Sequence, residues 1–308
     1  RDNDENFIEV FSIRLPGKTT AGTEGPFSKG FDCISSTNRI KHEGRVNNLR
    51  HKDGRVASYS SNGKVYVHNL ESLKCEITFD GGQSEGFGLD WESNGQKLVT
   101  GSFDGSCYLW DFNSPSSHVL TWKLKENSQI NDCQFHKSNS KIIALASSDC
   151  GLYFFDISSN DKPIETIGLH SAEVKVIDFH PNNEHLIIAG SDDGLVKLWD
   201  MRQLSEELHE FSEHSEPITC LKWGKGTFFA SGSEDKRVIV WDTDQVGEDN
   251  EGEDGDDLAP EIIFQHMGHQ SKVQGLAWDP HSEKGIFSAD HDGVAHFWEI
   301  DSNLPKKN

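Results

Sequence analysis

Short hydrophobic runs alternate with polar residues along most of the chain, and turn-forming residues separate the runs. The stretch from residue 170 to residue 200 shows this pattern most clearly. An alternating run ends at Phe179, a turn follows at Pro181–Asn183, an apolar run covers Leu186–Ala189, and a Ser-Asp-Asp-Gly turn leads into Val196–Asp200. These runs and turns predict antiparallel strands joined by hairpins. One such unit cannot bury both faces of its sheet, so it predicts further copies of itself.

The copies end in an aromatic residue, or once a His, followed by an acidic or polar residue. These endings are His68-Asn69, Trp110-Asp111, Phe155-Asp156, Trp199-Asp200, Trp241-Asp242 and Trp298-Glu299. Successive endings lie 42, 45, 44, 42 and 57 residues apart. A period near ~40–45 residues with a Trp-Asp ending is typical of the four-stranded blade of a β-propeller.

Other positions keep the same period. The residues six positions before the endings are Asn62, Asp104, Asp149, Asp193, Asp235 and Asp292. The residues ten positions before are Ser58, Thr100, Leu145, Ala189, Ser231 and Ser288. Five Asp at one offset are not expected by chance, so the repeat assignment is strong.

The chain therefore resembles the WD-repeat family over residues 40–300. In that family a His, a Ser or Thr, the turn Asp and the Trp form a buried hydrogen-bond chain within each blade. Two repeats match the full set: His214, Ser231, Asp235, Trp241 in one, and His269, Ser288, Asp292, Trp298 in the other. The repeat that begins at His170 has Ala189 in the hydroxyl position, and Gly82 takes the His position of the Trp110 repeat. Because buried polar groups must be paired, we expect these two blades to have shorter networks or bound water.

The predicted fold is all-β, a single WD-repeat β-propeller over residues 1–308. Residues 7–15 alternate as one strand, and residues 16–38, rich in Gly, Ser and Thr, predict a flexible loop. Six repeats and one further strand favour seven blades, with the N-terminal blade incomplete. The chain starts at Arg1 rather than Met, which indicates truncation or processing.

Composition narrows the possible partners. The net charge of −22 opposes direct binding to nucleic acid and favours basic proteins. No stretch approaches the ~20 apolar residues of a membrane span, and we expect no membrane contact. The six Cys are scattered without a CxxC pair, which indicates a reducing compartment and neither disulfides nor a zinc site.

One insert breaks the repeat period. Residues 247–260 carry seven acids and no base between positions 248 and 257, and an apolar strand, Ile262–Phe264, follows. Such a charge run is commonly only a solvated loop. Mounted on a rigid scaffold, it is also a candidate binding loop.

The insert and its flanks resemble the retinoblastoma-binding type of histone chaperone, the small WD-repeat subunit of chromatin assembly and histone-modifying complexes. The matching segments are Trp241-Asp242, Val246-Gly247-Glu248, Pro260–Phe264, Gly268-His269, His42–Asn47 except Arg45, Glu85–Trp91 except Asp90, and Leu208-His209 with Phe211 and His214. The resemblance implies binding of histones H3 and H4, nuclear and cytoplasmic localisation, and no catalysis or cofactor. It also implies that the acidic loop binds a basic histone helix. The binding residues it assigns are Glu253, Asp254, Asp256 and Asp257, with Ile262 and Phe264 as apolar support.

The family has a second site on the top face, around the central channel, where acids receive a basic peptide tail. The matching positions here are Asn47, Glu85, Phe87 (in place of Tyr) and Glu173. Arg45, Asn131 and Pro217 stand where that family has acids. The long N-terminal helix of the family is absent from this sequence, and Ala259-Pro260 replaces its paired prolines.

Two other interpretations stay open. A glutamate-rich WD-repeat escort of a basic ribosomal protein would also suit Gly86–Trp91 and Ser60–Val67. A generic protein-interaction adaptor would leave the acidic insert dispensable. An enzyme is not expected, because the chain has no phosphate-binding Gly-rich loop and no nucleophile elbow. Asp290-His291-Asp292 resembles a metal cluster, but Asp292 is assigned to its blade, so no metal site is expected.

Overall fold

The computed structural model describes residues 6–13, 34–80, 84–114, 118–125, 127–158, 163–168, 170–247, 259–282 and 284–300. These residues form β-strands joined by turns, with one turn of 3-10 helix at Thr243–Gln245. Among them is no helix long and apolar enough to cross a membrane.

Six sheets have the blade pattern that the repeats predict, and they are numbered here in chain order. The first blade is β3 (Val46–Lys52), β4 (Arg55–Ser60), β5 (Lys64–Asn69) and β6 (Lys74–Asp80). The second is β7 (Gly88–Trp91), β8 (Lys97–Gly101), β9 (Ser106–Asp111) and β10 (His118–Lys123). The third is β11 (Ile130–Phe135), β12 (Ile142–Ser147), β13 (Gly151–Asp156) and β14 (Glu165–Gly168).

The remaining blades continue the series. The fourth is β15 (Val174–Phe179), β16 (Leu186–Ser191), β17 (Val196–Asp200) and β18 (His209–Phe211). The fifth is β19 (Ile218–Trp223), β20 (Phe228–Ser233), β21 (Val238–Asp242) and β22 (Ile262–His266). The sixth has three described strands, β23 (Val273–Trp278), β24 (Gly285–Asp290) and β25 (Ala295–Glu299). All pairings are antiparallel, and the first strands of successive blades are neighbours.

The hydrophobic core lies between neighbouring blades. Ile188 and Val196 of the fourth blade, for example, pack with Leu221, Trp223 and Phe229 of the fifth. Apolar side chains on both faces of each sheet are therefore removed from water, which is the main driving force for stacking the blades.

Buried carboxylates join the first strands of adjacent blades. Asp90 accepts a hydrogen bond from the amide of Phe135 at 3.0 Å. Asp132 accepts a hydrogen bond from the amide of Ile177 at 3.1 Å. Asp178 accepts one from the amide of Trp223 at 2.8 Å. Each bond satisfies a buried amide with a charged acceptor, which is stronger than a neutral pairing.

Strands β1 (Asn6–Ile13) and β2 (Ile34–His42) form a separate two-stranded sheet, with Ile8 opposite Ile40. Ile8 and Ile40 are buried against Val56 of the first blade. The predicted loop over residues 16–38 lies outside the described residues as far as residue 33. Its last five residues belong to β2 instead, because β1 needs an antiparallel partner for its backbone groups. The described residues show six blades and this small sheet, so the seven-blade ring stays a prediction.

Candidate functional site

The fifth blade contains the complete buried hydrogen-bond chain. His214 Nδ1 lies 2.8 Å from an oxygen of Asp235, and its Nε2 lies 2.7 Å from Ser231 Oγ. Trp241 Nε1 donates to the same Ser231 oxygen at 2.8 Å. Burial acts to raise the pKa of Asp235, but the hydrogen bond and charge of His214 and the contacts of Arg237 outweigh it, and the pKa falls well below its usual range. The carboxylate thus fixes the imidazole so that its Nδ1 carries the proton.

The fourth blade has the same geometry with a gap at Ala189. His170 Nδ1 lies 3.2 Å from Asp193. Its Nε2 and the Nε1 of Trp199 are both buried and have no partner among the described residues. A methyl group at Ala189 cannot receive or donate a hydrogen bond, which explains both unpaired nitrogens.

The sixth blade differs from its predicted set in one member. His269 Nε2 lies 2.7 Å from Ser288 Oγ, to which Trp298 Nε1 donates at 3.2 Å. The carboxylate that meets His269 Nδ1, at 3.0 Å, belongs to Asp290 rather than Asp292. Asp290 is buried and also accepts from the amides of Asp292 and Val294, so it both closes the turn and reaches the imidazole. Asp292 is exposed.

The other blades keep parts of this chain. In the first blade His42 Nε2 lies 2.9 Å from Ser58 Oγ. In the second, Trp110 donates to Thr100 at 3.0 Å, and Gly82 lies outside the described residues. In the third, Asp149 accepts from Tyr153 and Ser128. These networks hold the blades together and do not form a reactive site.

The acidic insert leaves the fifth blade between its two outer strands. Residues 248–258, which include Glu253, Asp254, Asp256 and Asp257, lie outside the described residues. The residues on either side are held together, because the amide of Asp242 donates to the carbonyl of Glu261 at 2.8 Å. The side chain of Glu261 is buried and lies 3.0 Å from His209 Nε2. The insert therefore starts and ends at one well-packed place on the propeller.

Ile262 and Phe264 follow the insert as part of β22. Both are half-buried and pack into the blade cores, where the Phe264 ring lies 5.1 Å from that of Trp298. Their position supports the return strand of the insert. Neither side chain belongs to the loop that carries the acids.

A cavity of about 420 Å³ opens on the central channel at the end of the ring where the first strands begin. Asn47, Phe87 and Glu173, three of the four predicted top-face residues, line it. The insert leaves the propeller on the opposite face: β21 runs parallel to β19, so its last residue, Asp242, lies at the far end of the blade from the cavity. The attachment points of the insert are therefore separate from the cavity.

The fourth top-face residue, Glu85, lies beside the cavity and is hydrogen-bonded to one of the residues that line it. Asn47 Nδ2 donates to Glu85 at 3.0 Å, and Arg45 lies 3.3 Å from the same carboxylate oxygen. Phe87 is 40% exposed and contacts Phe103 at a ring distance of 5.3 Å. An exposed aromatic ring beside a carboxylate is suited to contact with an extended peptide.

The charge of the cavity mouth is mixed. Lys175 lies 2.6 Å from Glu173 and 3.1 Å from Asp192, so both carboxylates already have a cation. Deeper in the cavity, burial raises the pKa of Asp132 to about 6, although the charges of Arg50 and Lys222 act in the opposite direction. The buried carboxylates of the channel were not identified from the sequence, because a single repeat does not show which of its carboxylates meets the next blade.

Comparison with known families supports the repeat assignment. The family described as WD domain, G-beta repeat matches residues 73–111, 161–200, 205–242 and 261–299, about half of the chain. The chain belongs to the WD-repeat family. Each matched segment covers the last strand of one blade and the first three strands of the next, so the sequence repeat and the blade are offset by one strand.

Two similar proteins align with nearly the whole of this WD-repeat chain, including the parts between the four matched repeats. One, from Debaryomyces hansenii, is named "Histone acetyltransferase type B subunit 2" and is 27% identical over 98% of this chain and 77% of its own length. A protein of the same name from Candida glabrata is 24% identical over 98% of this chain and 76% of its own length. The chain is thus a WD-repeat propeller that is similar to two proteins named as histone acetyltransferase type B subunits.

Proposed function

We propose that this WD-repeat protein is a non-catalytic histone-binding scaffold, which holds histones H3 and H4 as a nuclear subunit of chromatin assembly or histone-modifying complexes. The observation that carries the proposal is the similarity to histone acetyltransferase type B subunits over 98% of the chain. A propeller built of structural hydrogen-bond chains and a strongly acidic composition support it.

The acidic insert is the proposed histone contact. Its carboxylates Glu253, Asp254, Asp256 and Asp257 can form charge-assisted, bidentate hydrogen bonds with Arg side chains of a basic helix. The bond between Asp242 and Glu261 holds the two ends of the loop on the rigid fifth blade. Long-range attraction between a chain of charge −22 and a very basic partner also speeds their encounter.

The cavity on the opposite face is a second proposed contact, for an extended basic tail. Phe87 and Glu173 line it, and Glu85 lies beside it. Because Arg45 and Lys175 already neutralise these carboxylates, a tail would have to compete with them, and we expect this contact to add little affinity. We also propose that the β1–β2 sheet, buried against the first blade, is the incomplete seventh blade.

The test is calorimetric titration of the full chain with a peptide of the first helix of histone H4 at two salt concentrations. We expect micromolar or tighter binding that weakens as salt rises, because exposed charge pairs are screened. Changing Glu253, Asp254, Asp256 and Asp257 to the corresponding amides is expected to abolish it.

A charge-matched control separates the insert from the general acidity of the chain. Changing the exposed acids Glu71, Glu184, Glu206 and Glu210 to Gln alters the net charge equally and is expected to leave most of the binding intact. Equal loss in both variants would mean non-specific attraction. If the parent chain binds the peptide at neither salt concentration, the histone proposal is wrong.

A further inference from the structure

Three histidines meet at the junction of the fifth and sixth blades. His266 ends β22, the outer strand of the fifth blade, and His296 lies in β25 of the sixth. His269 lies in the connection between the two blades. One ring nitrogen from each of the three lies within 4.8 Å of the other two.

Two of the three rings are hydrogen-bonded to each other, and a bound ion would replace that bond. His266 Nε2 and His296 Nδ1 are 2.9 Å apart, and the ring of His269 stacks on that of His296 at a centroid distance of 4.3 Å. A tetrahedral zinc ion with Zn–N bonds of about 2.0–2.1 Å needs its nitrogens roughly 3.3 Å apart. The shortest separation here has to open by a few tenths of an ångström, and the widest has to close by more. Because the rings of His269 and His296 are stacked nearly parallel and a nitrogen lone pair lies in its ring plane, one of these rings also has to turn when the ion binds.

His269 also has the second partner that metal-binding histidines commonly have. Its Nδ1 lies 3.0 Å from the Asp290 carboxylate, and both side chains are fully buried. A carboxylate that accepts from one ring nitrogen orients the ring, and the other nitrogen keeps its lone pair. In the described structure that second nitrogen, Nε2, is hydrogen-bonded to the Ser288 hydroxyl, which a bound ion would displace.

The site is open to solvent on one side. Met267 is 68% exposed and Gly268 is exposed. A Cβ atom on Gly268 would lie 2.8 Å from His266 Nε2, so only glycine leaves space beside this nitrogen.

We propose that His266, His269 and His296 bind one divalent transition-metal ion, with zinc as the natural occupant, and so connect the last two blades. Neutral imidazoles are ligands that suit zinc, copper and nickel. Three of them leave one coordination position for water or for a side chain of a partner. This site is independent of the histone contact, since it involves none of the insert's carboxylates.

The first experiment is a zinc titration of the full chain in competition with a chromophoric chelator. We expect one tight site, and a loss of affinity of at least about 100-fold in His296→Gln and in His266→Gln, because each change removes a ligand. His291→Gln, which removes an exposed histidine of the neighbouring turn, is the matched control and is expected to bind zinc like the parent protein. His296 is only half-buried, so its variant is expected to keep the fold, which circular dichroism checks.

A second measurement uses the unmodified protein and does not depend on how the variants fold. Cobalt(II) in this site is expected to give the intense visible absorption of a four-coordinate ion, and added zinc should abolish it. A weak six-coordinate spectrum, or zinc affinity that is the same in His296→Gln and in the parent, would overturn the proposal. Zinc that is lost only when the acids of the insert are changed would assign the ion to the loop instead.

Discussion

The indole nitrogen of Trp241 donates to the hydroxyl of Ser231 across 2.8 Å. The same hydroxyl meets His214 at 2.7 Å, so one buried oxygen serves both aromatic side chains. In the fourth blade the corresponding position is Ala189, and both nitrogens have no partner within the described part of the chain. The two blades therefore form a natural comparison of one fold with and without a single oxygen atom.

Replacing Ser231 with Ala should make the fifth blade resemble the fourth. Two buried nitrogens lose their partner, and we expect the free energy of unfolding to fall by about 2 kcal/mol. Urea unfolding followed by tryptophan fluorescence measures the change. Ser215→Ala, at an exposed neighbouring position, is the control and should differ little from the parent.

The reverse change, Ala189→Ser, should stabilise the fourth blade. The new hydroxyl can pair with both His170 and Trp199, and we expect a gain of about 1 kcal/mol in the same unfolding measurement. In a Trp199→Phe background much of the gain should disappear, because one partner is gone. A loss of stability in the single variant would show that crowding at this fully buried position outweighs the hydrogen bonds.

The buried carboxylate of Asp132 predicts a pH dependence of stability. Its folded-state pKa of about 6 exceeds the unfolded value of about 3.9, so the folded protein holds this proton more tightly. The resulting stabilisation is complete below about pH 4 and is lost as the pH rises through 6. Asn does not titrate and therefore does not lose this stabilisation. The free energy of unfolding of Asp132→Asn, measured relative to that of the parent, should rise by about 1 kcal/mol between pH 5 and pH 8.

Unfolding curves of both proteins at pH 5 and pH 8 test this prediction. Asp244→Asn, which changes an exposed acid, controls for the general effect of removing a charge. A difference between Asp132→Asn and its parent that stays constant with pH would mean that Asp132 does not titrate in this range.

The cysteines should differ sharply in reactivity. Burial raises the pKa of the Cys220 thiol to about 12 and raises those of Cys107 and Cys133 as well. Because the thiolate is the reactive form, native protein should be labelled at the exposed Cys75 long before these three. Mass-spectrometric mapping after brief alkylation measures the order, and labelling in urea is the control in which all should react.

The repeat register accounts for most of what sequence could predict. The repeat endings located the six blades that the described residues form, and the members of the hydrogen-bond chain around Trp241 meet as the spacing implied. The spacing placed Asp292 instead of Asp290 beside His269, because an offset counted along the chain cannot tell which carboxylate of a turn points inward. The three-histidine cluster was missed for a related reason: its members belong to two blades, and only the packing of β22 against β25 brings them together.

The cavity residues show the same limit. Asn47 and Glu85 could be selected by resemblance, but their hydrogen bond and the cation Arg45 beside them depend on how two blades meet. Asp132 and Asp178 lie 22 and 23 residues after the endings at Trp110 and Phe155, but the spacing alone does not show that they meet the next blade. Their role as acceptors for the next blade is a property of the ring, and no single repeat contains it.

The carboxylates of Asp90, Asp132 and Asp178 have a consequence for how the chain can be divided. Each is completed by an amide of the following blade, so a fragment that stops after the third blade would leave Asp132 as a bare charge in a half-built interface. Solenoid repeats can be shortened from one end with only a gradual loss of stability. In this protein the smallest cooperative unit is a pair of neighbouring blades. We therefore expect truncation between two blades to destroy folding. A circular permutation that keeps all the blades would preserve every carboxylate–amide pair.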